Sequence, residues 1–555
     1  QTNNNINNTI KGSKTWWQNI KKLTGEINKT SQSPVIYIED SWHSIGEFTS
    51  KLNRYYLQDH IEVEFPEIPT AGNSLTVNEL EIYHLLNDIN THKANHSADF
   101  PSWISKNNSH LLASPVSYIV NNILSSGHYP SRWKTAEVKP LNKIPNPVKY
   151  KDMRPISLLY HLGKVVEKVI SRHLKAELPT LSHQYAYTRA LSTTDALVKF
   201  LSDTVTALDD KTVVANQALM LDFSKAFDRL CPKLAIQKML AMNVNTRIIQ
   251  LVRSFLSGRS QCVRYGGVHS DYKSCFIGVP QGTILGPVLW NIFIDDLAPA
   301  VNFVKYADDT TLYHSLRTNK VSISDSTASR CTISLTHNPL QDAANYTSNW
   351  CRENKMLLNT TKSNQITFSL KKEIASSPIT IDATDIAEVE STKLLGVVFD
   401  KHLRFSDHVT TIIDKCRPAF HAISKLRKAG VDDSSLALFY KSRITPLLSY
   451  AAPAWYPMIS KQDRERLEKY QRLCLRVILP NVTHTDERQQ ITGIDDINVQ
   501  LDISCLRYVD KVRSNADHPL HNLTNLHSIS SRSGRRLSTK SRTALQSKSL
   551  FYRFV

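Results

Sequence analysis

The chain has 555 residues, of which 41% are apolar, so it is long enough for about three or four globular domains and too apolar to be disordered. A formal net charge of +18 predicts attraction to a polyanion; nucleic acid is the commonest candidate, and a solvated basic surface is the alternative. The eight cysteines form no C-x-x-C pair, which argues against a zinc module or a disulfide framework, and no apolar run is long enough to span a membrane.

The first 75 residues are polar and predict a linker with a small helical lead-in. An aromatic patch at 14–20 has helical character, and much of the remainder is rich in Ser, Thr and Pro. Apolar residues within 76–88 recur at helical spacing and predict a helix. Because the chain begins with Gln rather than Met, we expect it to be a fragment or a processed piece of a longer protein.

Two basic, strand-like stretches follow at 133–143 and 153–159, and a helix is predicted from 163 to 178. Their cations suit a triphosphate, because Lys supplies a point charge and Arg a bidentate fork; plain surface charges are the alternative. The residues concerned are Lys139, Lys143 and Arg154.

An apolar strand predicted at 218–221 ends in a carboxylate, Asp222. Residues 184–191 before it read as a loop that leads to a capped helix. A carboxylate at the end of such a strand is placed to share a metal pair with other acids. Phe227 either packs under the sugar of an incoming nucleotide, leaving no room for a 2′-hydroxyl, or is an ordinary core residue.

The stretch 278–287 is rich in Gly and Pro and precedes an apolar helix predicted at 288–294. Glycine lets a backbone come close to a ligand. Gln281 and Gly282 are therefore candidates for contact with a base pair and the template, and a plain turn is the alternative.

Two short strand-like runs, 301–305 and 310–313, place Asp308 and Asp309 at the tip of a predicted β-hairpin. Adjacent carboxylates repel each other and are tolerated when a divalent cation such as Mg²⁺ or Mn²⁺ lies against them. Four other Asp-Asp pairs in the chain fit helix caps, helix ends or turns, so the dipeptide alone is weak evidence.

Residues 318–336 are rich in Ser and Thr and predict a loop. Helical periodicity then predicts helices at 409–428, 434–448 and 462–479. The third carries a basic row that suits the phosphates of a duplex, with a solvated charged face as the alternative. The row consists of Arg464, Arg466, Lys469, Arg472 and Arg476.

The order of three motifs discriminates further. The strand ending in Asp222, the Pro-Gln-Gly loop and the Tyr-Ala-Asp-Asp hairpin follow one another over a short span, and the combination resembles the palm of reverse transcriptases. The residues at 221–228 and 278–287 are similar to those of non-LTR (LINE-type, jockey-like) retrotransposon enzymes. A segment at 350–363 resembles the next palm motif of that family, and 393–400 resembles its primer-grip hairpin.

The resemblance implies an α+β right-hand polymerase, in which fingers and palm combine helices with an antiparallel catalytic sheet and the thumb is α-helical. The implied domains are a linker with helical lead-in (1–75), fingers with an N-terminal extension (76–215), the palm (216–400), a helical thumb and C-terminal region (401–510) and a basic, disordered tail (511–555).

The resemblance also implies the activity of an RNA-directed DNA polymerase that extends a primer 3′-hydroxyl, for target-primed reverse transcription. Asp222, Asp308 and Asp309 are the implied ligands of two Mg²⁺ ions, with Mn²⁺ possible, and Lys362 is the implied proton donor to pyrophosphate. The implied substrates and partners are dNTPs, an RNA template including the element RNA, and a DNA primer or nicked target DNA, with no membrane. The implied location is nucleus and cytoplasm.

Two alternatives remain at this point. A viral-type RNA-dependent RNA polymerase is disfavoured by Phe227, where such enzymes need a polar contact to the 2′-hydroxyl. A non-catalytic, nucleic-acid-binding relic of a mobile element is disfavoured by the three intact carboxylates. The sequence shows no endonuclease before the linker and no Cys/His knuckle after the thumb, so self-sufficient target cleavage is not expected of this chain.

Overall fold

The computed structural model describes most of the chain. The described residues are 9–24, 35–69, 72–179, 183–317, 321–324, 331–335, 338–370, 374–375, 378–525 and 548–554.

Helices dominate the described part of the chain. They are α1 (Lys14–Thr24), α2 (Ile45–Tyr56), α3 (Glu79–Asn87), α4 (Ser102–Asn107), α5 (Ser109–Ser126), α6 (His161–Glu177), α7 (Thr193–Asp209), α8 (Ala226–Arg229), α9 (Pro232–Ala241), α10 (Thr246–Leu256), α11 (Leu285–Ile294), α12 (Pro339–Glu353), α13 (Ser406–Lys428), α14 (Asp433–Arg443), α15 (Thr445–Ser449), α16 (Ala452–Trp455), α17 (Lys461–Ile478), α18 (Thr485–Thr492), α19 (Ile497–Arg513) and α20 (Leu550–Phe554).

The strands are mostly short. They are β1 (Val35–Ile38), β2 (Ser41–Ser44), β3 (Thr135–Asn142), β4 (Met153–Leu158), β5 (Val213–Leu221), β6 (Arg259–Tyr265), β7 (Val268–His269), β8 (Lys273–Cys275), β9 (Asn302–Tyr306), β10 (Asp309–Arg317), β11 (Val321–Ser324), β12 (Cys331–Leu335), β13 (Asn364–Phe368), β14 (Ile374–Ala375), β15 (Thr380–Ile381), β16 (Thr384–Asp385), β17 (Ala387–Glu388), β18 (Ser391–Leu394) and β19 (Val397–Asp400).

The central sheet has the strand order β17-β13-β5-β10-β9. Its middle strand β5 is buried along nearly its whole length and runs antiparallel to both neighbours, β10 and β13. An apolar run of this kind forms a strand that is covered on both faces. Apart from the parallel edge pair β13–β17, this is the antiparallel sheet that the sequence predicts, and together with the surrounding helices it confirms the expected α+β fold.

A second sheet lies on the fingers side and has the order β4-β3-β6-β7, with β8 also paired to β6. Strands β3 and β4 are antiparallel, whereas β3 and β6 are parallel. Strand β6 lies inside the sequence range predicted to be palm, so the chain leaves the palm, adds strands to the fingers sheet and returns at α11. Parallel pairing requires such a long crossover connection.

The largest apolar core joins palm and thumb. It includes residues of β5 and α7, of the thumb helices α13, α14, α17 and α19, and also Trp16 of α1 and Leu550 and Phe551 of α20. Trp16 is fully buried and lies edge-on to Trp17, which packs near Phe439 of α14. The segment predicted as a linker lead-in is therefore an integral part of the thumb core.

The C-terminal region is held to α7 by a buried polar cluster. The carboxylate of Asp195, at the start of α7, accepts hydrogen bonds from Tyr508 (2.8 Å) and His518 (2.9 Å) on one oxygen and from Ser192 on the other. Asp195 and His518 are both fully buried. Lys511 lies 3.7 Å from the same carboxylate, so α19 and the loop after it are bound to the first turn of α7.

Two sequence predictions are wrong where the structure describes them. The tail predicted from residue 511 starts inside α19. Residues 511–525 and α20 pack on the body of the protein because they carry buried groups such as His518 and Leu550. Residues 526–547 of the predicted tail lie outside the described part. The loop predicted at 318–336 contains the paired strands β11 and β12, since its Val-Ser-Ile-Ser alternation has the two-residue period of a strand. Within the described ranges, no helix combines the length and hydropathy that crossing a membrane requires.

Candidate active site

The turn between β9 and β10 brings the predicted carboxylates together. Tyr306 pairs with Asp309 across the hairpin, and Ala307 between them has a left-handed φ of 56°. In the antiparallel pairing of β10 with β5, Thr310 lies opposite Leu221. The next pair in this register is Asp309 with Asp222, so the hairpin tip meets the end of β5.

The raised pKa values of Asp308 and Asp309 show that these carboxylates are crowded. Partial burial, reinforced by the charge of Asp222, raises the pKa of Asp308, and the cations Arg154 and Lys362 oppose the rise. Partial burial followed by the charges of Asp308 and Asp222 raises the pKa of Asp309 to about 6, although part of its side chain still faces solvent. Three acids therefore repel one another in one cleft, and a bound cation would relieve that repulsion.

The donor set fits a hard divalent ion, because carboxylate oxygens are the ligands that Mg²⁺ and Mn²⁺ take in phosphoryl-transfer sites. As the side chains stand, no group of three His, Cys, Asp or Glu residues in the described ranges is close enough to hold an ion. The charge of Asp222 nevertheless raises the pKa values of Asp308 and Asp309, which places the three residues in one electrostatic site. An ion would draw the three carboxylates together.

Cations face the acids from two directions. Lys362 Nζ lies 3.6 Å from Asp222 Oδ2, and its side chain is largely exposed. The turn that carries Lys362 is fixed to the end of β5, because Asn359 N–H donates to the Asp222 carbonyl at 2.8 Å. On the other side, partial burial and the charges of Arg154 and Lys362 lower the pKa of Lys143. Cations this close together attract an anion.

Lys139 and Arg154 lie on the same face of the fingers sheet. Arg154 pairs with Leu141 and Lys139 with Ile156, and directly opposed residues of an antiparallel pair point to one side. Both side chains are exposed. Arg154 is electrostatically coupled to Asp308, whereas a triphosphate contact by Lys139 stays a prediction.

Phe227 lies beside the carboxylates in an aromatic cluster. Its ring centroid is 5.3 Å from that of Trp290 on α11 and 6.4 Å from that of Tyr187, and its side chain is half-buried. Tyr187 itself has a left-handed φ of 59° and is 47% exposed. The cluster packs against Phe227, whose side chain is still partly exposed.

The Pro-Gln-Gly loop joins the fingers to the segment that carries Phe227. Val279 N–H donates to the Phe227 carbonyl (2.9 Å), and Ser157 N–H donates to the Gln281 carbonyl (2.8 Å). A Cβ on Gly282, whose φ is 120°, would lie 2.9 Å from the Ser157 carbonyl oxygen. Glycine is thus required here by the approach of β4, and direct contact of Gly282 with the template stays a prediction.

Two functional candidates escaped the sequence reasoning. The first is Asp228, whose Oδ1 accepts a hydrogen bond from the Gln281 side-chain amide at 3.1 Å and whose pKa is raised by burial. The sequence feature that could have indicated it is its place as the second acid of the Asp-Phe-Ser-Lys-Ala-Phe-Asp segment. Gln184 is buried and bonds the backbone of Ala307 in the catalytic turn. A glutamine in an apparent loop 123 residues away gave no signal for that contact.

Comparison with known proteins agrees with this geometry. Residues 143–399 match the family described as reverse transcriptase (RNA-dependent DNA polymerase), a range that contains Asp222, Asp308, Asp309 and Lys362. This segment of the chain is similar to a reverse transcriptase domain. The match does not restrict the roles of residues outside 143–399. The matched range includes the fingers strand β4 with Arg154.

Relatives of the reverse transcriptase domain come from mobile elements. A probable RNA-directed DNA polymerase from transposon X-element of Drosophila melanogaster is 27% identical over 398 residues, covering 69% of this chain and 42% of the relative. The RNA-directed DNA polymerase from mobile element jockey of Drosophila funebris is 28% identical, covering 65% of this chain and 39% of the relative. The expected jockey-like resemblance is confirmed, and the chain spans about two fifths of the length of these curated relatives.

Among solved structures, the chain is similar to apo telomerase from Candida tropicalis. The TM-score is 0.34 at 11% sequence identity, with 74% of this chain and 73% of the telomerase chain covered. The reverse transcriptase family, which residues 143–399 match, depends on a divalent metal ion in general.

Proposed function

We propose that the chain is an RNA-directed DNA polymerase that extends a primer 3′-hydroxyl with deoxynucleotides on an RNA template. The observation that carries the proposal is the meeting of Asp222 with Asp308 and Asp309 at the tip of the β9–β10 hairpin, inside the segment that matches reverse transcriptases. The relatives are named as RNA-directed DNA polymerases, which supports the same activity.

Asp222, Asp308 and Asp309 would hold two Mg²⁺ ions, with Mn²⁺ as a substitute. Bound there, the metal supplies activation of the primer hydroxyl and neutralisation of charge on the triphosphate. The fold supplies rigid positions for the carboxylates: Asp222 at the end of a buried strand, and the other two on a two-stranded hairpin. Because little covalent chemistry is asked of the protein in phosphoryl transfer, this placement is the main catalytic contribution of the three residues.

The cations around the cleft would bind the triphosphate. Arg154 and Lys143 lie on the fingers side, and Lys362 lies next to Asp222. When the α-phosphate is attacked, negative charge develops on the departing pyrophosphate, and Lys362 is the exposed ammonium group placed to neutralise or protonate it. Lys139, on the same face as Arg154, extends the cationic surface along the fingers sheet.

Phe227 would select the sugar. Its ring is fixed from behind by Trp290 and by the backbone contact with Val279. A ring that cannot move back leaves no volume for a 2′-hydroxyl, so deoxynucleotides are favoured. Gln281, bonded to Asp228 next to Phe227, would position the nascent base pair through the same loop.

The thumb would hold the template-primer duplex through one face of α17. Lys469, Arg472 and Arg476 are exposed and are three or four residues apart, so they lie on one side of the helix. The other two basic residues of the row serve the fold: Arg464 stacks on the Tyr456 ring at 4.1 Å and Arg466 pairs with Asp463 at 2.8 Å. Of the basic row predicted from the sequence, three residues are therefore available to contact phosphates.

The decisive experiment is primer extension on poly(rA)·oligo(dT) with dTTP, Mg²⁺ or Mn²⁺, and a UTP control. We expect extension with dTTP by the wild-type chain and none by the Asp308→Ala and Asp309→Ala double variant. Extension with UTP instead would support an RNA polymerase. Salt-dependent duplex binding by both proteins without extension would support a nucleic-acid-binding relic.

The proposed partners are an RNA template, including the element RNA, and a DNA primer or nicked target DNA. Action in both nucleus and cytoplasm is part of the same proposal, because the chain would meet the element RNA in the cytoplasm and its target DNA in the nucleus. Fractionation of cells that express the tagged chain tests the location independently of activity.

A further inference from the structure

The catalytic turn contains a strained alanine. Ala307 is buried and has φ of 56°, a left-handed conformation that non-glycine residues seldom adopt. Asp308 and Asp309 follow it directly, so their position depends on this one backbone conformation. A strained turn of this kind persists only when its surroundings hold it in place.

The side chain of Gln184 holds that turn. Its Oε1 accepts a hydrogen bond from Ala307 N–H at 3.0 Å and a second one from Ala186 N–H at 3.0 Å. Its Nε2 lies 3.5 Å from the Ala307 carbonyl oxygen. One buried amide therefore contacts both the N–H and the C=O of the strained residue.

The segment around Gln184 is itself fixed. Tyr185 N–H donates to the Lys305 carbonyl (2.9 Å), and Lys305 N–H donates to the His183 carbonyl (2.8 Å), so the segment lies along β9 like an extra parallel strand. Asn291 of α11 donates to the Ala186 carbonyl at 2.9 Å. Gln184 thus links the catalytic turn to two rigid elements.

We propose that Gln184 is a positioning residue for the catalytic carboxylates, an inference that rests on the proposed polymerase function. It acts through the backbone of Ala307 and not through substrate, because its side chain is only 3% exposed and its bonds go to the main chain. Without the amide, two N–H groups lose their acceptor and the turn is free to relax. Asp308 and Asp309 then leave the geometry that phosphoryl transfer needs, while the nucleotide contacts of Phe227 and Arg154 remain.

The test compares Gln184→Met, which keeps the side-chain volume and removes both polar groups, with Gln184→Glu, which keeps an acceptor oxygen. The matched control is Gln217→Met in the same palm: Gln217 is fully buried on β5, and neither polar atom of its side chain has a hydrogen-bond partner in the described part of the chain. Steady-state extension of poly(rA)·oligo(dT) gives kcat and the KM for dTTP. Amide hydrogen exchange, read by mass spectrometry with residue-level fragmentation, follows the Ala307 N–H without substrate or metal.

We expect Gln184→Met to lower kcat roughly 10- to 100-fold, the effect of a displacement of about 1 Å, with KM for dTTP within about threefold of wild type. Ala307 N–H should exchange about fivefold faster in this variant, since a net hydrogen bond of about 1 kcal/mol is lost, with other palm amides unchanged. Gln184→Glu should keep Ala307 protected and recover a larger share of kcat. Gln217→Met should match wild type in all three measurements.

Three outcomes would overturn the proposal: unchanged kcat in Gln184→Met, a rise in KM with kcat retained, or faster exchange spread evenly over the palm. If the wild-type chain shows no polymerase activity, the proposed function fails, and the exchange of Ala307 still reports whether Gln184 holds the turn. The two failures are therefore distinguishable.

Discussion

Replacing Asp195 with Asn should loosen the C-terminal region from α7. The carboxylate accepts hydrogen bonds from Ser192 on one oxygen and from Tyr508 and His518 on the other. An asparagine side chain presents an NH₂ group to one of these donor pairs, so two donors lose their acceptor in a fully buried site. We expect α19 and the loop that carries His518 to open more often.

The size of the effect follows from the ionisation of Asp195. Burial by itself raises the pKa of this carboxyl, but the hydrogen bonds from His518, Ser192 and Tyr508 outweigh burial and lower the pKa from 3.8 to about 2. A shift of about two units corresponds to about 2.5 kcal/mol in favour of the folded, ionised form. Because the folded-state pKa is lowered, this stability is present above pH 3.8 and is lost as pH falls through about 2.

Amide hydrogen exchange of peptides from α19 measures this opening at pH 7. Asp195→Asn should speed their exchange roughly 50-fold, the equivalent of about 2.5 kcal/mol. Tyr508→Phe, which removes one donor and keeps the ring, should act in the same direction by about 1 kcal/mol. The control is Asp210→Asn at the other end of α7, where the carboxylate is partly exposed (37%) and pairs with Arg317.

The control variant Asp210→Asn should change the free energy of opening of α19 by less than about 0.5 kcal/mol. If Asp195→Asn leaves exchange in α19 at the wild-type rate, the buried cluster does not hold the C-terminal region and the reasoning is refuted. Faster exchange in the palm strands with α19 unaffected would also contradict it.

Further predictions concern the loop, the sugar filter and the thumb. Gly282→Ala should lower both stability and primer extension, because its Cβ would lie 2.9 Å from the Ser157 carbonyl oxygen. The control is Gly258→Ala, at a positive φ with no atom within 4 Å of the new Cβ, which should cost only the backbone strain of about 1 kcal/mol. Thermal unfolding and extension assays separate the two variants. Phe227→Val should reduce discrimination against UTP by about tenfold or more in competing extension assays, and unchanged discrimination would remove Phe227 from the sugar site. Neutralising three thumb cations to Gln should reduce the slope of log K against log salt for duplex binding by about two to three, with an unchanged slope contradicting the assignment of α17 to the duplex. The three are Lys469, Arg472 and Arg476.

The active-site strands were predictable because their signals are local. The hairpin at Asp308 and Asp309 shows strand character on both sides of a short polar turn, and β5 is an apolar run that ends in Asp222. The order of these motifs along the chain then indicated which carboxylates meet. The structure brings Asp222, Asp308 and Asp309 to the same site. Helix caps such as Asp432 were readable for the same reason: the cap and the N–H it accepts from are three residues apart.

Long-range contacts were not predictable from one sequence. Asp195 reads as a residue in the first turn of a capped helix, and nothing near it in the sequence indicates His518, 323 residues away. The basic residues at the C-terminal end suggested a tail, while the few apolar ones that decide its packing, Leu550 and Phe551, are too few to form a periodic pattern. Gln184 was missed for a similar reason, since its importance lies in two main-chain bonds and not in its own chemistry.

The core that unites Trp16 with Leu550 and Phe551 has a consequence for how the protein is made. Contacts between the two ends of a chain are slow to form, because a long loop must close before they gain any stability. During synthesis the palm strands leave the ribosome early, yet the thumb core lacks part of its apolar surface until residues 550 and 551 have been added. Until then Trp16 and the thumb helices expose apolar surface that favours aggregation, so yield in expression should depend on this small C-terminal helix more than its five residues suggest.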